Sequence, residues 1–200
     1  MRKLVLGLAL MLTAGASAQK FHQENQDFFT LNESEKDKSS MKYVEEGENK
    51  YILNFEGKTA IELFQATEVM VGTIWKNPDE VIVGLSEGKY IKINGGAPTI
   101  RQSILLSPAY YDTKVSLTFN FKDGRMLMSI SSYTYRIPAS KYNGYVSTDL
   151  TASVKMTKRS GKKYKYAEET VDGFNSFINN IVSEIKKQVE NESSSSSSNW

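Results

Sequence analysis

Between Lys114 and Tyr135 the chain alternates apolar and polar residues about one sharp reversal. Val115, Leu117, Phe119 and Phe121 share one face, and Lys114, Ser116, Thr118 and Asn120 the other. The Asp123-Gly124 dipeptide that follows suits a two-residue type I′ turn, whose central residues must both tolerate φ > 0. With that loop Lys122 pairs with Arg125, Phe121 with Met126, Phe119 with Met128 and Leu117 with Ile130. Every apolar residue then meets an apolar partner, and a slip of one residue would destroy the match.

The same alternation predicts a first strand over Tyr51–Phe55, ended by Gly57. Along Ala60–Trp75 the period changes. Ala60, Leu63, Phe64, Thr67, Met70, Val71 and Ile74 recur at steps of three and four, which predicts an amphipathic helix. Thr59 and Glu62 stand at the spacing of a capping box, and Lys76-Asn77-Pro78 stops the helix. Glu80–Leu85 and Lys89–Ile93 read as a second hairpin across Ser86-Glu87-Gly88, with Ile91 and Ile93 on one side and Tyr90 and Lys92 on the other. Asn94-Gly95-Gly96-Ala97-Pro98 reads as a turn. Its glycines lack the phosphate-cradling spacing, which argues against a nucleotide site. Thr99–Ser107 is apolar enough for a further strand or a bulged edge. Val171–Val189 predicts a closing helix with Phe174, Phe177, Ile178, Ile181, Ile185 and Val189 as its stripe. Glu168, Glu169 and Asp172 at its start and Lys186 and Lys187 at its end match the helix dipole.

The resulting order, β-α-β-β-(β)-β-β-α, is an α+β domain over residues 50–190. It predicts a single curved antiparallel sheet of about five or six strands, with two helices packed on one face. Residues 137–169 fit it least and read as an irregular or extra-strand insertion. Within them Lys141–Gly144 reads as loop and Leu150–Met156 as one more strand. The cations Lys155, Lys158, Arg159, Lys162, Lys163 and Lys165 then read as a solvated hairpin tip, with a polyanion patch as the alternative.

The ends add a location. Arg2 and Lys3, the apolar run Leu4–Leu12 and Ala16-Ser17-Ala18 form a signal peptide over residues 1–18, cleaved between Ala18 and Gln19. The apolar run is too short to span a bilayer, which leaves no transmembrane segment after cleavage. No cysteine follows it, so the expected product is exported, periplasmic or secreted, and not a lipoprotein. Residues 19–49 read as a polar, flexible leader with Phe28-Phe29-Thr30-Leu31 as its one apolar patch, and 191–200 as a disordered Ser-rich tail. Trp200 ends that tail as either a recognition handle or a loose terminus.

Composition narrows the chemistry. The 25 Lys and Arg stand against 23 Asp and Glu, and removing Arg2 and Lys3 leaves 23 of each. A neutral chain argues against a nucleic-acid partner. Absent cysteine excludes disulfides and thiolate metal sites. The one histidine, His22, lies in the leader without partners for a metal site or a general base. The acids sit in turns and at helix ends. No catalytic residue, metal site or cofactor is therefore assigned, and an enzyme is not expected.

The residues Tyr51–Gly57, Thr59–Trp75, Asn77–Ile82, Gly88–Lys92 and the Asp123-Gly124-Arg125 turn together carry a resemblance. Over roughly 50–136, and more weakly in the final helix, the chain resembles a family of small exported bacterial domains of unknown function whose fold is TATA-box-binding-protein-like (TBP-like). The resemblance implies that fold and an exported location, and no activity. Function would then sit on the sheet face away from the helices, with Tyr90, Lys92, Asn120, Arg125, Tyr133 and Tyr135 as candidate binding residues for a glycan or peptide of the bacterial envelope. Tyrosine offers stacking area and a hydrogen-bonding tip together. The expected role is an exported, non-catalytic binding or interaction module. The alternative is a structural or assembly protein of the envelope with no small ligand, and a hydrolase comes last.

Overall fold

A computed structural model of the chain describes residues 27–31, 41–43, 49–104, 107–138, 145–149 and 165–195. The expected signal peptide, His22, the loop expected at Lys141–Gly144, the strand expected at Leu150–Met156, the cations from Lys155 to Lys163, and Trp200 lie outside them.

The strands are β1 (Phe29–Leu31), β2 (Met41–Tyr43), β3 (Lys50–Asn54), β4 (Ile82–Ser86), β5 (Tyr90–Ile104), β6 (Ser107–Lys122), β7 (Arg125–Pro138) and β8 (Tyr145–Asp149). The helices are α1 (Ala60–Ile74), the single turn α2 (Pro78–Val81) and α3 (Lys165–Ser195). Five strands run in the order β3-β7-β6-β5-β4, all antiparallel. β8 joins as a sixth on the far part of β7, beyond the stretch that β3 occupies.

The central hairpin has the predicted register. Lys122 pairs with Arg125, Phe121 with Met126, Phe119 with Met128 and Leu117 with Ile130. All the apolar members of those pairs are buried. Gly124 takes φ 75°, which a side chain would resist. Both long helices lie on this apolar face. Phe64 of α1 meets Phe121 edge-on, with ring centroids 5.7 Å apart, and Trp75 at the end of α1 meets Phe177 of α3 at 6.1 Å.

α1 begins as its sequence dictates. Glu62 N donates to Thr59 Oγ1 at 3.3 Å and Thr59 N donates to Glu62 Oε2 at 2.8 Å, closing the capping box. These bonds, with the Lys58 ammonium 3.2 Å away, hold the Glu62 carboxyl below its ordinary range. A remote group completes the cap: Asp123 Oδ1, in the hairpin turn, accepts from Ala60 N at 2.8 Å. Gly124 N donates to Lys58 O at 2.7 Å, and Phe55 N donates to Gly124 O at 2.8 Å.

Several expectations need correction. Asn94–Pro98 is not a turn but part of β5, in register with β6 through Ala97. Its glycine makes room: a Cβ at Gly95 would stand 2.5 Å from the Trp75 indole, whose Nε1 donates to Gly96 O at 2.9 Å. Glu80 and Val81 belong to the helical turn α2, opened by Pro78, and the strand starts only at Ile82. The described part of the leader is not flexible. Phe28 and Phe29 are buried in the core, and β1 pairs with β2. Asn175 of α3 holds them: its Oδ1 accepts from both Phe28 N and Phe29 N at 2.9 Å, and its Nδ2 donates to Phe29 O at 3.1 Å. The insertion does carry an extra strand, at residues 145–149, where β8 pairs with β7. α3 starts before Val171 because buried Ala167 and Thr170 carry the stripe a turn further back. It runs on to Ser195, into the expected tail, because no Gly or Pro follows Val189 within it.

Candidate binding site

The paired strands align their outward residues in rows across the face that the helices leave uncovered. Ser86, Tyr90, Asn120, Leu127 and Ile52 form one row. On one side of it lie Lys122, Arg125 and Asn54; on the other lie Gly84, Lys92, Thr118, Ser129 and Lys50. Tyr90, Lys92, Asn120 and Arg125 therefore share this face, as their alternation predicts. Lys92, Asn120 and Arg125 are exposed and Tyr90 is half-buried, with the Lys92 ammonium 5.7 Å from its ring centroid.

Tyr133 and Tyr135 do not follow. Between the pairs Ser116–Ser132 and Leu117–Ile130 the register shifts by one residue, so Ser131 is an extra residue in β7. Such a bulge reverses the alternation beyond it. Positions 133 and 135 consequently pair with Val115 and Thr113, two buried residues of the helix-covered face. The alternation of β7 could not reveal this, because an extra serine looks like any other outward residue.

A depression of about 130 Å³ marks the uncovered face, lined by Ile52, Asn120, Lys122, Arg125, Met126 and Leu127. Ile52 is only 7% exposed yet stands outside the core cluster, and Leu127 beside it is half-buried. The result is an apolar floor with an amide, an ammonium and a guanidinium at its rim. Asn120 and Arg125 were legible as candidates. Lys122 follows from the same hairpin register, opposite Arg125; Ile52 was not legible, because β3 joins β7 across the intervening chain and periodicity carries no strand order. A wider polar groove runs beside Asp27, Asp172 and Asn175, where Asn175 is already engaged by the strap at Phe28 and Phe29.

Acidic groups with a resolved shift lie elsewhere. Glu68 of α1 is raised above the ordinary carboxyl value by burial and, to a lesser degree, by Glu87. No helix among the described residues is long and apolar enough to cross a membrane.

A curved antiparallel sheet with two long helices on one face defines the TBP-like class, and the chain has that fold. It is similar to the crystal structure of a TBP-like protein from Parabacteroides distasonis, with a TM-score of 0.50 and 13% identity over 71% of this chain and 91% of that one. A DUF4468 family protein from Bacteroides ovatus is similar over 70% of this chain and 84% of its own, with 14% identity and a TM-score of 0.49. No protein-family profile matches the sequence, and no curated protein matches it. The likeness is one of fold, and fold does not fix function.

Proposed function

We propose that the protein is an exported, non-catalytic binding module that takes a glycan or peptide of the bacterial envelope on the uncovered face of its sheet. One observation carries this reading: an apolar-floored depression, rimmed by Asn120, Lys122 and Arg125, on the face that packing among the described residues leaves free. Small ligands settle in concave sites with an apolar lining and a few placed polar groups. Thermal unfolding of the full chain against a panel of envelope glycans and peptides tests it, because a ligand that binds only the folded state raises the melting temperature. The expected result is a rise that Leu127→Glu removes without lowering the melting temperature of the free protein. A panel without any response overturns the reading.

A second reading, assembly through a sheet edge, is favoured by β4. Among the described residues it ends the strand order, and its Val83 and Leu85 are 63% and 48% exposed. Bare apolar edges invite pairing with another chain. Under that reading the mass of the protein rises with its concentration and no ligand responds.

A further inference from the structure

The uncovered face carries Lys50, Lys92, Lys114, Lys122 and Arg125, all exposed, and none is paired with a described carboxylate. From the row Asn94–Ser116–Ser132 to the row Lys122–Arg125–Asn54, no outward position is Asp or Glu; the acids of this face come at its far end, where position 149 follows Thr134 in the row of Lys114 and Asp112 lies two residues before Lys114. Asp123, at the turn, points its carboxylate to the start of α1. Most other described acids lie in the helices and turns, as at Glu62, Glu68, Asp79, Glu87, Asp172 and Glu184. A chain with nearly balanced totals thus gathers only positive charge around Lys50, Lys92, Lys122 and Arg125, and a concentration of one sign over a surface attracts the opposite one.

We infer that the ligand of this face is an acidic glycan, a sugar polymer bearing carboxylates, laid across the strands and anchored at Lys122 and Arg125. This inference rests on the binding role proposed for the face. Lys92 and Lys50 lie in one row, three strand spacings or about 14 Å apart. Lys114 and Lys122 lie eight residues apart on one strand, about 27 Å. A small anion reaches one of these cations or two neighbours; a polymer with charge at intervals reaches all. The intervening residues are Asn94, Ser116, Thr118, Asn120, Ser129 and Ser132, amides and hydroxyls that match sugar hydroxyls. The Arg125 guanidinium presents a planar fork suited to a carboxylate. Nucleic acid is the other extended polyanion. Single strands are held by bases stacked on aromatic rings, and within these rows the one aromatic residue is Tyr90, which already has Lys92 beside its ring.

The test is a titration of the full chain with polygalacturonate, its fully methyl-esterified form and a single-stranded oligonucleotide, each at low and raised salt. Polygalacturonate is expected to bind, more weakly as salt rises. The esterified polymer, with the same sugars and no charge, is expected to bind much less. The double variant Lys122→Gln/Arg125→Gln loses about tenfold in affinity with an unchanged melting temperature, since two charge-assisted hydrogen bonds go. Lys187→Gln, on α3, changes nothing. Equal binding of the esterified polymer overturns the acidic class and leaves the binding face standing. A tighter oligonucleotide overturns the glycan. Absence of binding to all three overturns this inference, while a response to a neutral member of the envelope panel would still uphold the face.

Discussion

The two faces of the sheet are made by alternate residues of the same strands, yet they obey different rules. On the covered face each position is fixed by what it meets: Phe119 by Met128 and Ile91, Gly95 by the Trp75 indole, Phe121 by Phe64. On the other face Asn120, Lys122 and Lys92 answer to solvent, and no described neighbour dictates their identity. Stability resides on one side, and the freedom to recognise something is left to the other.

Adjacent residues can break this contrast most sharply at positions 119 and 120. Phe119→Ala should lower the unfolding free energy by about 3–5 kcal/mol, because it removes a fully buried ring and leaves a cavity. Asn120→Ala should stay within about 0.5 kcal/mol. Denaturant titration of both variants reads the difference, and equal losses would show that the uncovered face is also part of the core. The glycines repeat the experiment in the opposite sense. Gly95→Ala forces a methyl group against the Trp75 ring and should cost about 1–3 kcal/mol, as overpacking does. Gly96→Ala meets nothing within 4 Å and should cost less.

The smallest effect belongs to the acidic margin of the helix layer. Glu68 is raised by burial and then by Glu87, so its folded value lies above its unfolded one. Its ionised form therefore opposes folding. The penalty is complete above the raised folded value and vanishes below the ordinary unfolded one. Glu68→Gln should raise the melting temperature slightly at neutral pH and lose that advantage in acid. An advantage that grows in acid would reverse the assignment.

These differences also explain which parts of the chain could be read in advance. The turn end of the hairpin and α1 were legible because each is specified within a few residues: a period of two around Asp123-Gly124, and a period near 3.6 behind Thr59 and Glu62. The uncovered row from Tyr90 to Asn120 was legible for the same reason. Legibility failed where a distant partner decides. Asn94–Pro98 resembles a turn only until Trp75 is seen to need the space over Gly95. Phe28 and Phe29 look stranded in a polar leader, because the amide that holds them is 147 and 146 residues away. Tyr133 and Tyr135 changed face through one extra serine. The floor of the candidate site needed the adjacency of β3 and β7, which no local pattern contains.

The contact of Asp123 with Ala60 joins groups 63 residues apart. The capping box lets the first turn of α1 nucleate from local sequence, but its last acceptor arrives only once the sheet has closed. The start of α1 is thus a latch engaged by the finished hairpin, and fraying at the tip of β6 and β7 is transmitted to the helix on the opposite side of the fold from the candidate ligand.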